Sequence, residues 1–197
     1  MKYSRYLILL YPIKPYIFDL VENWPDEEIQ KAVSLYDEIS KGRHKGYRRV
    51  IVLFGQKENP SEPDRDSLWP TIKERPTDIV ISCGKSLEDF YLNCDYPDPL
   101  DVFSLLPGPI ESCIIGGFHL TDCVDKLAEA ASILGLLPKV DDDLTDLFFN
   151  LKYQKGGVPV KADDSFNSKA RIFDGVPMKD LREIKERRKG KPWFTQY

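Results

Sequence analysis

Between Arg5 and Phe54 the chain reads as an apolar run, an amphipathic stretch and a second apolar run, and this succession restricts the possible folds most strongly. Arg5–Tyr11 (RYLILLY) is a continuous apolar segment of strand length, closed by the turn signals Pro12 and Pro15. An apolar run without polar alternation is the pattern of a strand buried on both faces. Asp26–Lys41 places Ile29, Ala32, Val33, Leu35, Tyr36 and Ile39 near helical spacing, follows Pro25, opens with acidic residues and stops at Gly42. That spacing predicts an amphipathic helix. Arg49–Phe54 (RVIVLF) is a second buried strand, so the opening third has the form of a parallel crossover unit, which commits the chain to an α/β sheet.

The rest of the chain extends the alternation. Gly55–Thr77 carries Pro60, Pro63, Pro70 and Pro76 among many charges, with Leu68 and Trp69 as its strong apolar anchors. It predicts a long loop of the kind that rims a ligand crevice. Asp78–Ser82 (DIVIS) is a third strand, and residues 84–106 combine loop and helix. From Glu111 to Asp143 a short apolar strand (Cys113, Ile114, Ile115) is broken by Gly116 and Gly117. Thr121 and Asp122 can then cap a helix with Cys123 in its first turn and Val124, Leu127, Ala128, Ala131 and Leu134 on one stripe, stopped by Gly135. Leu136–Val140 predicts a fifth strand, Asp141–Asp143 a solvated strand end and Asp143–Leu151 a further helix. Beyond Gly156 the pattern loosens, with Arg171–Phe173 as a candidate edge strand and Met178–Lys189 as a basic helix.

Composition narrows the function classes. At 197 residues, 42% hydrophobic and 12% aromatic, the chain suits one domain over residues 1–150 and an extension over residues 151–197. Its apolar runs are far shorter than the roughly 20 residues of a membrane span, and no signal-peptide cleavage site follows the first run, so a soluble cytoplasmic protein is expected. The cysteines Cys83, Cys94, Cys113 and Cys123 form no CxxC pair, and His44 and His119 are the only histidines. Neither a disulfide framework nor a structural metal is expected. The extension holds 12 Lys/Arg against 6 Asp/Glu while the whole chain carries −4. Folding back on the acidic body, or docking through Pro192, Trp193, Phe194 and Tyr197 on the body or a neighbouring subunit, is preferred to nucleic-acid binding.

A cysteine at the start of a helix that follows a strand can act as a nucleophile, because helix-terminal N–H groups favour a thiolate. The order Gly117, Thr121, Asp122, Cys123, Val124, Ala128, Ala131, Gly135 and Asp143 resembles the isochorismatase-like cysteine hydrolases, a superfamily that also contains nicotinamidases and carbamoyl-amide hydrolases. The resemblance spans about residues 5–145, with the Thr-Asp pair abutting the cysteine directly where the family usually has one residue between. It implies a three-layer α/β/α sandwich with a mainly parallel sheet, a site at the carboxyl ends of the strands, and self-association. In that family a cysteine attacks an amide-like carbon, helped by an aspartate at the end of strand one and a lysine after strand three.

This chain departs from the pattern. Tyr11 stands at the aspartate position, Ile13 at the glutamine position and Tyr16 at the aromatic one, and no acid lies between Met1 and Asp19. Tyrosine, with a reference pKa near 10, is a poor base at neutral pH. The lysine position falls on Cys83 or Gly84, with Lys85 next in line if the strand end bulges. The nicotinamidase metal requires histidines after strand two, and Gln56–Trp69 offers Asp64 and Asp66 without any. No cofactor is therefore expected. The candidate catalytic residues are Cys123, Lys85 and His119, the last as a substitute base; Tyr11, Gly117, Thr121 and Asp122 are the candidate binding residues. The expected function is that of an eroded hydrolase that keeps its pocket for a small-molecule ligand or for assembly. The alternative is a cysteine hydrolase of an amide-like or isochorismate-like small molecule.

Overall fold

The computed structural model describes residues 4–146, 148–149, 182, 186 and 188–194. The expected edge strand at Arg171–Phe173, most of the expected helix at 178–189 and part of that at 143–151 lie outside the described residues.

Strands β1 (Ser4–Leu10), β2 (Arg48–Gly55), β3 (Ile79–Ser86), β4 (Ile110–Gly117) and β5 (Pro138–Thr145) form one parallel sheet in the order β3-β2-β1-β4-β5. Helices cover both faces, giving the three-layer α/β/α sandwich. They are α1 (Lys14–Val21), α2 (Asp26–Gly42), α3 (Leu87–Asn93), α4 (Pro99–Ser104) and α5 (Asp125–Ile133). The unalternated apolar run of β1 is buried throughout its centre because β2 and β4 flank it and helices cover it. Among the described residues no helix is long and apolar enough to cross a membrane.

Local readings are revised in three places. The stretch after Pro12 is helix α1, because Pro15 sits in its first turn, where its fixed φ and missing N–H suit a helix start, and because Tyr16, Ile17 and Val21 form a buried face. Around Cys123 the first turn is wide: the Val124 N–H donates to His119 O five residues back, and α5 proper begins at Asp125. Neither Thr121 nor Asp122 caps it; the Leu120 N–H is instead accepted by Asp146 Oδ1 at 2.7 Å.

The third revision concerns Asp141–Asp143, which are neither a solvated strand end nor a helix start. They lie inside β5, where the strand bulges between the pairs Ile115↔Val140 and Gly117↔Thr145, and all are buried. Counter-charges come from distant sequence: Arg43 Nη1 is 3.1 Å from Asp141 Oδ1 and 2.7 Å from Asp143 Oδ2, and His44 Nε2 is 2.7 Å from Asp141 Oδ2. Arg188 pairs with Asp142. Burial pushes the Asp142 carboxyl up to about 7, with Arg188 pulling the other way.

The described part of the C-terminal segment lies along the β5 edge. The Val140 N–H donates to Trp193 O at 3.1 Å, Trp193 Nε1 donates to Asp125 Oδ1 at 2.7 Å, and Lys191 pairs with the same carboxylate. Among the described residues, this segment partly covers the outer edge of β5.

Candidate functional site

The carboxyl ends of β1, β3 and β4 bring Tyr11, Cys83 and Cys123 together. Tyr11 follows β1 directly, is 3% exposed and has φ of 48°. Its N–H still donates to Val52 O at 2.9 Å, and its ring stacks on Phe54 at 4.5 Å. The ring is thus fixed by backbone and stacking, and its hydroxyl meets the Cys83 thiol and feels Cys123. Burial foremost, then these thiols, raise the Tyr11 hydroxyl well above its ordinary value, so it is neutral at physiological pH.

Gly117 makes the close approach of β4 and β1 possible. Its φ is +112°, and a Cβ there would lie 2.1 Å from Leu10 O. The next residue returns the contact, with the Phe118 N–H donating to Leu10 O at 3.0 Å. This pairing carries the chain from β4 to His119, whose peptide bond with Phe118 is cis, and on to Cys123.

The Cys123 thiol is half-buried, with its sulfur 4.0 Å from Asp122 Oδ2. Burial first, and Asp122 second, push it up to about 11; a backbone contact with His119 and the charge of Lys126 act in the opposite direction. The helix-start effect expected to favour a thiolate is therefore outweighed by desolvation and a neighbouring anion.

The other candidates surround this centre unevenly. His119 packs on Tyr16 at 4.8 Å and has Nδ1 3.6 Å from Asp146 Oδ2; Asp146 foremost, then Asp122 and Asp19, raise its pKa against burial. Lys85 lies in β3 and donates to Asp95 Oδ2 at 2.5 Å. It is the Cys83 thiol, not the Lys85 ammonium, that meets Tyr11. Asp122 is paired with Lys126 at 2.6 Å, and Thr121 is on the exposed side of the turn. Among the described residues no group of three or more His, Cys, Asp or Glu side chains is placed to hold a metal ion.

Beside Cys123 a shallow cleft, open to solvent, is lined by Leu10, Tyr11, Tyr96, Val102, Cys123 and Lys126 among others. Tyr96 and Lys126 escaped the sequence reading. Lys126 had one usable signal, since a residue three positions beyond Cys123 on a helix shares its face. Tyr96, from the loop between α3 and α4, had none.

No protein-family model and no curated protein matches the sequence. Solved structures do resemble the fold. Its structural neighbours include isochorismatase-family proteins. One, described as an isochorismatase family protein, has 16% identity over 98% of this chain and 97% of its own, with a TM-score of 0.45. An isochorismatase from Pseudomonas putida has 15% identity over 72% of this chain and 70% of its own, with a TM-score of 0.45. A Leishmania major protein provisionally described as a MAR1 ribonuclease has 11% identity over 97% of this chain and 94% of its own, with a TM-score of 0.48. Similarity at this level assigns neither an activity nor a site residue.

Proposed function

We propose that this chain is a small-molecule-binding protein on an isochorismatase-like α/β/α fold, in which cysteine-hydrolase chemistry is lost. The observation that supports this reading most directly is that Tyr11 and Cys123 line the same cleft with no carboxylate base at the end of β1. A neutral tyrosine occupies the end of β1, where the resemblance requires a carboxylate base, and burial with Asp122 holds the Cys123 thiol protonated. A thiol with a pKa of about 11 is ionised to roughly one part in several thousand at pH 7.5, against roughly one in ten for an ordinary cysteine. Lys85, engaged with Asp95, offers no evident compensation.

The test is iodoacetamide labelling read by mass spectrometry, with the exposed Cys94 as internal reference. Cys123 is expected to label orders of magnitude more slowly than Cys94 at pH 7.5. Its rate should climb about tenfold per pH unit to beyond pH 10, because only the thiolate reacts. A labelling rate that levels off near pH 7, with amide turnover abolished by Cys123→Ala, would reverse the reading.

A second reading, hydrolysis of an amide-like or isochorismate-like substrate through Cys123, is favoured by the contact of His119 with Asp146 beside the thiol. An imidazole oriented by a carboxylate is the usual partner of a catalytic cysteine. Asp146→Asn is expected to lower the His119 pKa toward its ordinary value near 6.5, as followed by NMR. On the hydrolase reading, amide turnover would fall in parallel.

A further inference from the structure

The cleft beside Cys123 already holds one organic cation, the chain's own. The Lys126 ammonium lies 4.0 Å from the centroid of the Tyr96 ring and 2.6 Å from Asp122 Oδ1. An aromatic face and a carboxylate converging on one nitrogen is the chemistry by which proteins recognise alkylammonium groups. We propose that the mouth of this cleft binds a small organic ammonium ion over Tyr96 and against Asp122, in competition with the Lys126 side chain. The inference deepens the binding reading above by naming a ligand class.

Three observations favour a cation over an anion. Carboxylates gather at the mouth: Asp98 is on the lining and Asp122 pairs with the lining lysine. The deeper walls carry no compensating charge, since Tyr11 and Cys123 stay protonated and Leu10, Val102 and Leu127 are apolar. Among the described residues, the one cation on the lining, Lys126, is already committed to Asp122, and the lining carboxylate Asp98 accepts from the Leu100 N–H at 2.8 Å. An incoming carboxylate would meet Asp98 and Asp122 without a free partner. An incoming ammonium replaces Lys126 charge for charge, while Lys126, with a side chain 49% exposed, swings into water on its flexible stem. Exposed pairs of this kind are weakly held, so the exchange is not costly. The apolar lining of Leu10, Val102 and Leu127 then receives the ligand's hydrocarbon part.

The probe is benzyltrimethylammonium chloride, titrated into the full chain and read by calorimetry and by amide chemical shifts at constant ionic strength. Saturable, millimolar-range binding is expected, tightened about tenfold or more in Lys126→Met and weakened about tenfold in Tyr96→Leu and in Asp122→Asn. These side chains are substantially exposed, so the variants should fold, which circular dichroism checks. Ammonium binding together with Cys123-dependent amide turnover would retain this site and overturn the loss of catalysis. Absence of turnover with no saturable binding to parent or Lys126→Met would do the reverse. Binding indifferent to Tyr96→Leu, or tighter binding of benzoate at the same residues, would also overturn the proposal.

Discussion

Replacing Arg49 by alanine is expected to destabilise the fold by about 3–5 kcal/mol, the loss typical when one partner of a buried ion pair is removed and the other stays buried. Arg49 is 0% exposed although it lies near the start of β2. Its Nη1 donates to Asp37 Oδ1 at 3.0 Å and to Ser40 Oγ at 2.8 Å, its Nε donates to Asp78 Oδ2 at 3.0 Å, and its Nη2 donates to Asp78 Oδ2 and Lys73 O. One guanidinium thus ties α2, the loop before β3 and the base of β2 together. Alanine would leave Asp37 and Asp78 desolvated without it.

The pH dependence gives the experiment a second readout. Burial pushes Asp78 up, but Arg49 and Arg75 outweigh it and leave its pKa below the ordinary value of 3.8. Stability from this pairing is therefore present above about pH 4 and is lost as pH falls through the lowered folded value. In Arg49→Ala burial is no longer opposed by the main partner, so the Asp78 pKa rises. The deficit relative to the parent should be largest near neutrality and shrink on acidification. Urea unfolding across pH 3–8 measures this; a deficit below about 1 kcal/mol at pH 7, or one independent of pH, would contradict the buried-pair account.

Gly117→Ala is expected to be comparably damaging, by about 4 kcal/mol or more, combining overpacking with a left-handed backbone that alanine resists. The added Cβ would meet Leu10 O at 2.1 Å and Leu10 N at 2.4 Å, and these are backbone atoms of the central strand, with no rotamer to relieve the overlap. For a domain of this size the melting temperature should drop by roughly 10 °C or more. The separation of β1 and β4 that relieves the clash would also move Tyr11 away from Cys123. Thermal unfolding with labelling of Cys123 in the same variant checks both effects. A melting temperature within a few degrees of the parent would show that the strands are not in close contact there.

Legibility from sequence followed the range of the interaction. β1, β2, α2 and the Gly135 stop of α5 were readable because each is encoded by residues within one element: apolar continuity, helical spacing, a glycine at φ of +76°. Helix α1 was hidden because Pro15 serves equally as turn signal and helix starter, and only packing of Tyr16 and Ile17 on the sheet decides between them. β5 was cut short because consecutive aspartates look like a solvated end. Their burial depends on Arg43, His44 and Arg188, which lie 98, 97 and 46 residues away from the carboxylates they contact.

The site divides in the same manner. The sequence by itself determined that a parallel α/β sheet forms, that Cys123 begins the helix region after β4, and that Tyr11 ends β1 with no acid near it. Those are matters of local pattern and residue identity. Tertiary structure decided that Cys83, not Lys85, meets Tyr11, that burial and Asp122 keep Cys123 protonated, and that Tyr96 brings an aromatic face to the Lys126 ammonium. The physical reason is that protonation state and ligand complementarity depend on desolvation and on charges brought close by folding, and linear spacing encodes neither.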